Sequence, residues 1–128
     1  WPGIYFNGDK VGFNILKEVK KRLDRKYSNL IWMKLSEIAR YWAARELTSI
    51  DSGQGKVILK APFSAPGFTI KINLAARSVS VKNLKPEVIP LARIKDPLLL
   101  KSNTWFTDKS GTVICFDLNK GETELIVK

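Results

Sequence analysis

The sequence predicts an α+β protein: a helical N-terminal third, then an antiparallel β-sandwich. Three observations predict it. Apolar residues recur every three to four positions between Val11 and Tyr27, a second helix pattern follows Ser36, and from Lys56 onward apolar and polar residues alternate with period two. Strand and helix therefore alternate over residues 1–48, whereas residues 56–128 read as strands alone.

The first helix runs from about Lys10 to Tyr27, with Val11, Ile15, Leu16, Val19, Leu23 and Tyr27 on one face. Glu18 and Arg22 stand four apart, where opposite charges pair on the outer face. Leu30-Ile31-Trp32-Met33 is a continuous apolar run, the pattern of a strand covered on both faces. Ser36 is placed to cap the next helix, with Glu37 favoured by the positive end of its dipole. That helix extends to about Glu46 and is apolar on several sides through Ile38, Ala39, Tyr41, Trp42, Ala43 and Ala44. Trp32, Tyr41 and Trp42 are therefore expected in a core, yet 48 residues are too few to cover them alone.

Thr48–Gly55 is polar and contains glycine, so it is the expected boundary between a 1–50 segment and a 51–128 domain. The clearest strand beyond it places Phe68, Ile70, Ile72 and Leu74 on one face. Val57 with Leu59, and Val79 with Val81, give two more. Residues 88–94 form another strand, set at an edge or bulge by Pro90. Further strands are expected around Leu98–Leu100, Trp105-Phe106, Thr112–Leu118 and Thr123–Val127, separated by turns at 108–111 and 119–121. Seven or eight short strands in this span suit a sandwich.

Composition narrows the chemistry. The net charge is +10, from 22 lysines and arginines against 12 acids. The excess is spread evenly along the chain. Its one concentration, Lys17, Lys20, Lys21, Arg22, Arg25 and Lys26, is broken by Glu18 and Asp24, which reads as a solvated helix face and argues against a nucleic-acid site. No apolar stretch reaches the ~18 residues that cross a bilayer, so no membrane span is expected. The chain starts at Trp1 without an initiator methionine or a signal peptide and reads as a processed or excised piece. Cys115 is the only cysteine and lies in an apolar strand, as a small core residue would. There is no histidine, so His-based acid–base chemistry and a Ser–His or Cys–His pair cannot arise within this chain. No phosphate loop, CxxC or GxSxG motif occurs, and the acids are scattered. No catalytic, cofactor-binding or metal-binding residue is assigned. Trp1, Tyr5 and Trp105 are the candidate glycan contacts, as aromatic rings able to stack on sugars, with Trp105 expected at the surface because it lies beside a turn-rich segment.

The N-terminal third, ending in the run Trp-Met-x-x-Ser-Glu-Ile-Ala-Arg-Tyr at 32–41, resembles the closing segment of polysaccharide-deacetylase-like proteins, the NodB-homology carbohydrate esterases. The resemblance covers about residues 1–48. It implies that these residues are the terminal strand and helix units of a distorted (β/α) barrel whose N-terminal part this chain lacks. It implies a parent that removes acetyl groups from glycans with a divalent metal, zinc foremost, held by one Asp and two His. It also favours a periplasmic or extracellular setting. None of those metal or catalytic residues maps onto this sequence, so the chain is expected to be silent by itself, and Trp1 to Asn7 would form the rim beside the late catalytic histidine. Residues 51–128 would be an accessory sandwich that braces the barrel or binds carbohydrate. The other readings are a stand-alone carbohydrate- or protein-binding sandwich and, from charge alone, a basic nucleic-acid-binding domain. Exposed apolar surface in residues 1–48 would also promote self-association.

Overall fold

The computed structural model describes residues 8–28, 30–83 and 87–128, with two α-helices and nine strands in two sheets among them. Contacts divide the chain into two compact units, which meet in sequence between Met33 and Lys34.

The first unit contains α1, Val11–Lys26, as the apolar spacing predicts. Lys20–Asp24 and Arg22–Glu18 bridge successive turns. The barrel strand expected at Leu30–Met33 is absent, which corrects the reading of these residues as a doubly covered strand. A strand is completed by hydrogen bonds to neighbours, and no described strand pairs with this run. Ile31 is 81% exposed and Trp32 52%, so neither is core. The Trp32 indole instead donates to Asp24 Oδ1 at 2.8 Å, and the Lys20 ammonium lies 5.2 Å from its ring centre.

The second unit begins with α2, Leu35–Leu47. Its N-cap is Lys34 rather than Ser36. The Glu37 carboxylate accepts from the Lys34 N–H at 2.7 Å, closing the first turn from the inside. Next come β1 (Ser49–Gly53), β2 (Lys56–Ala61), β3 (Ala65–Ile72), β4 (Val79–Lys82), β5 (Val88–Pro90), β6 (Ala92–Arg93), β7 (Thr104–Asp108), β8 (Gly111–Leu118) and β9 (Gly121–Val127). One sheet has the order β1-β2-β9-β4-β5 and is antiparallel throughout. The other has the order β3-β8-β7-β6, in which β6 runs parallel to β7. Neither arrangement closes a barrel. Leu59, Val79, Leu125 and Val127 of the first sheet and Phe68, Ile114, Phe116 and Leu118 of the second belong to one buried cluster, a sandwich-like arrangement.

Several expectations are refined by this topology. The polar stretch at 48–55 supplies an edge strand and the tight turn of a hairpin. Gln54 and Gly55 take φ of 50° and 77°, the two positive values that a two-residue turn between twisted strands requires. The strand expected at 88–94 is cut at Leu91. β5 ends one sheet, β6 ends the other, and buried Leu91 crosses between them with its N–H on Val79 O. Leu98–Leu100 is not a strand. Pro97–Leu99 is a 3₁₀ turn, opened by Pro97 and held by Leu98 N–H donating to Asp96 Oδ1. Leu74, expected to face inward, is 54% exposed.

Candidate functional site

Two features of the second unit are open to a partner. The first is α2. Its buried side is fixed to β3: Ala44 is fully buried, the Tyr41 ring lies 5.6 Å from that of Phe68, and Thr69 N–H donates to the Tyr41 hydroxyl at 3.2 Å. Phe68 in turn meets Phe116 edge-on at 6.1 Å. The other side of α2 carries Leu35, Ile38 and Trp42, spaced three and four apart and therefore in one stripe. They are 81%, 49% and 66% exposed. The core assignment thus holds in part for Tyr41, which packs against the cluster, and is corrected for Trp42. A helix has room for only one face against a sheet, and Tyr41 and Ala44 occupy it.

The second feature is a cleft of about 410 Å³ between the β1–β2 hairpin and the far end of β3. Its floor is aliphatic: Ile50, Val57, Ile70, Ile72 and Leu74, with no aromatic side chain among its lining residues. The cleft forms because β1 and β3 are the edge strands on the same side of the two sheets, and α2 packs on β3 around Phe68 and Thr69.

The candidate glycan contacts do not converge. Trp1 and Tyr5 lie outside the described residues. Trp105 is 2% exposed, its indole N–H donates to Leu91 O at 3.1 Å, and the Arg93 guanidinium lies 5.2 Å from its ring centre. The expected exposure of Trp105 is therefore corrected. β7 is an inner strand of its sheet, so the neighbouring turn does not carry this side chain to the surface.

Several carboxylates of the unit are held by defined partners. Glu124 is shared by Lys56 at 2.6 Å and Lys82 at 3.8 Å, and the hydrogen bond from Lys56 holds its carboxyl below the usual glutamate range. The Ser110 hydroxyl and N–H do the same for Asp108. Asp117 accepts from Gly67 N–H and from the Ser102 hydroxyl. In each case the carboxylate is bound to a neighbouring strand or turn. Burial raises the Cys115 thiol, which makes it a poor nucleophile. No group of three His, Cys, Asp or Glu among the described residues could hold a metal ion. The one-Asp, two-His set of the esterases cannot be assembled from a chain without histidine. No helix among the described residues is long and apolar enough to cross a membrane.

No protein-family model, curated protein or solved structure matches the chain.

Proposed function

We propose that this chain is the non-catalytic C-terminal part of a polysaccharide-deacetylase-like glycan hydrolase, in which an accessory β-sandwich braces the catalytic barrel. The exposed apolar stripe of α2 carries the reading. Leu35, Ile38 and Trp42 face away from the sheets while Tyr41 and Ala44 hold the helix to them, so α2 is a layer with a sandwich on one side and room for a second protein surface on the other. The run at 32–41 that resembles the esterases includes Ile38, with Leu35 inside it and Trp42 next to it. Because the family's metal ligands are absent from this chain, zinc and the hydrolytic step belong to the parent's barrel. The roles left to this chain are docking and support.

The coding sequence upstream of Trp1 is expected to hold an Asp–Asp pair, a His-x-x-x-His segment and a histidine close to Trp1. Its absence overturns the parentage. The purified chain is expected to release no acetate from an acetylated glycan with or without zinc, and turnover above the blank would show that the chemistry resides here after all. Binding in trans to the separately expressed barrel tests the docking role. Trp42→Ser should weaken that complex by about 2 kcal/mol or more, the scale of an interface hot spot. Thermal stability of the chain should stay within about 0.5 kcal/mol. Unchanged binding by Trp42→Ser would remove α2 from the interface.

A further inference from the structure

The cleft between β1–β2 and β3 lies apart from the α2 stripe, and its chemistry points to a different ligand. In an antiparallel strand, backbone groups point alternately toward the partner strand and away from it. Thr69 N–H is given to Tyr41, so Thr69 points away from β8, and Lys71, two residues on, does the same. Tyr41 covers the first of these outward positions. By this alternation the Lys71 N–H points out from the sheet edge. On the other wall, the two-residue turn at Gln54–Gly55 makes Gly53 and Lys56 the hydrogen-bonded pair, which leaves the backbone groups of Ile50 and Ser52 facing outward. Two strand edges with outward-facing backbone groups therefore border an aliphatic floor on which Ile50 and Leu74 are 55% and 54% exposed.

The rim has a sign. Lys56 and Lys71 line the cleft and no acid does. Lys56 pairs with Glu124, a carboxylate that also serves Lys82, and the Lys71 ammonium is bonded at 2.6 Å to the Ser110 hydroxyl, which links it to the Asp108 carboxylate outside the cleft. The charges that line the cleft itself are therefore both positive, with their carboxylate partners set outside it. An aliphatic floor with no aromatic ring does not favour a sugar, whose rings stack on aromatics. Unpaired strand edges above alternating apolar side chains suit a peptide backbone.

We propose that this cleft takes an extended peptide segment with apolar side chains at alternate positions and acidic ones between them, added as a strand to the edge of β3 at Lys71. The apolar positions lie on Ile50, Ile70, Ile72 and Leu74, the backbone pairs with Lys71, and the acids meet the lysine rim. This site is independent of the docking of α2, so either can fail without the other.

The probe is an acetylated eight-residue peptide alternating valine and glutamate, titrated into the full chain and followed by amide chemical shifts. Shifts are expected at Ile50, Ser52, Lys71 and Leu74. Lys71→Pro removes the outward N–H without touching a ladder bond and should abolish binding. Leu74→Asp should weaken it about tenfold through floor and charge together. Replacing every glutamate of the peptide by lysine should weaken it by a similar factor. Thermal unfolding of each variant, unchanged within a few degrees, separates loss of the site from loss of the fold. Shifts confined to other residues, equal affinity for the lysine peptide, or full binding by both variants would overturn the proposal. So would occupancy of the same cleft by a neutral oligosaccharide in place of the peptide.

Discussion

Gly111→Ala should unfold much of the second unit's stability. Gly111 opens β8 with φ of +135°, which L side chains rarely adopt, and a Cβ there would stand 2.1 Å from the Ile72 carbonyl oxygen. That oxygen is backbone in the paired edge strand β3, so it cannot swing aside as a side chain would. The variant must either break the Ile72–Thr112 end of the ladder or shift β8. A loss of about 3 kcal/mol or more is expected, from strain and lost pairing together, with a drop in Tm of roughly 10 °C or more. Gly53→Ala is the control. No atom lies within 4 Å of its would-be Cβ and its φ is not positive, so it should change stability by less than about 0.5 kcal/mol. Equal melting temperatures for the two variants would mean that the β7–β8 turn and the end of the β3–β8 ladder beside it are soft.

Trp105→Ala is the second large effect, and it reports on the core rather than on ligand binding. The side chain is among the largest fully enclosed in the protein, and its indole N–H satisfies Leu91 O at the crossing between the sheets. Truncation leaves a cavity and an unpaired buried carbonyl, for an expected cost of about 3–5 kcal/mol in urea or thermal unfolding. Trp105→Phe keeps most of the volume and loses the hydrogen bond, so it should cost about 1–2 kcal/mol. A neutral Trp105→Ala would restore the surface role first expected of this residue.

The contrast between Trp105 and Trp42 shows what the sequence carries and what it does not. Period-two alternation marked Phe68 and Ile70, Val79 and Val81, and Val57 and Leu59 as inward-facing because every second residue of a strand shares a face whatever its neighbours are. Strand order is not local. Nothing near Trp105 says that β7 lies between β8 and β6, so a turn beside it looked like exposure. The same blindness affected Leu30–Met33, whose apolar run is strand-like only if partners exist. β1 was missed for the opposite reason: Ser49–Gly53 is exposed throughout and polar apart from Ile50, and only its pairing with β2 makes it a strand. The α2 stripe was present in the spacing of Leu35, Ile38 and Trp42, but spacing cannot say which of two apolar faces meets the sheet. The cleft had no sequence signature, since it arises where two edge strands from different sheets fall on the same side.

The position of β9 has a consequence for how the protein is made. Gly121–Val127 lies between β2 and β4 and hydrogen-bonds to both. The middle of the first sheet is thus completed by a strand some sixty residues after β2. During synthesis, β1 and β2 can form their hairpin early, but β4 cannot join them until residues 121–127 have left the ribosome. Until then the Val57–Leu59 and Val79–Val81 faces have no common neighbour and stand open to other chains. Assembly of the sheet is therefore a late event governed by loop closure over some sixty residues, and the interval before it is when aggregation and chaperone capture compete with folding.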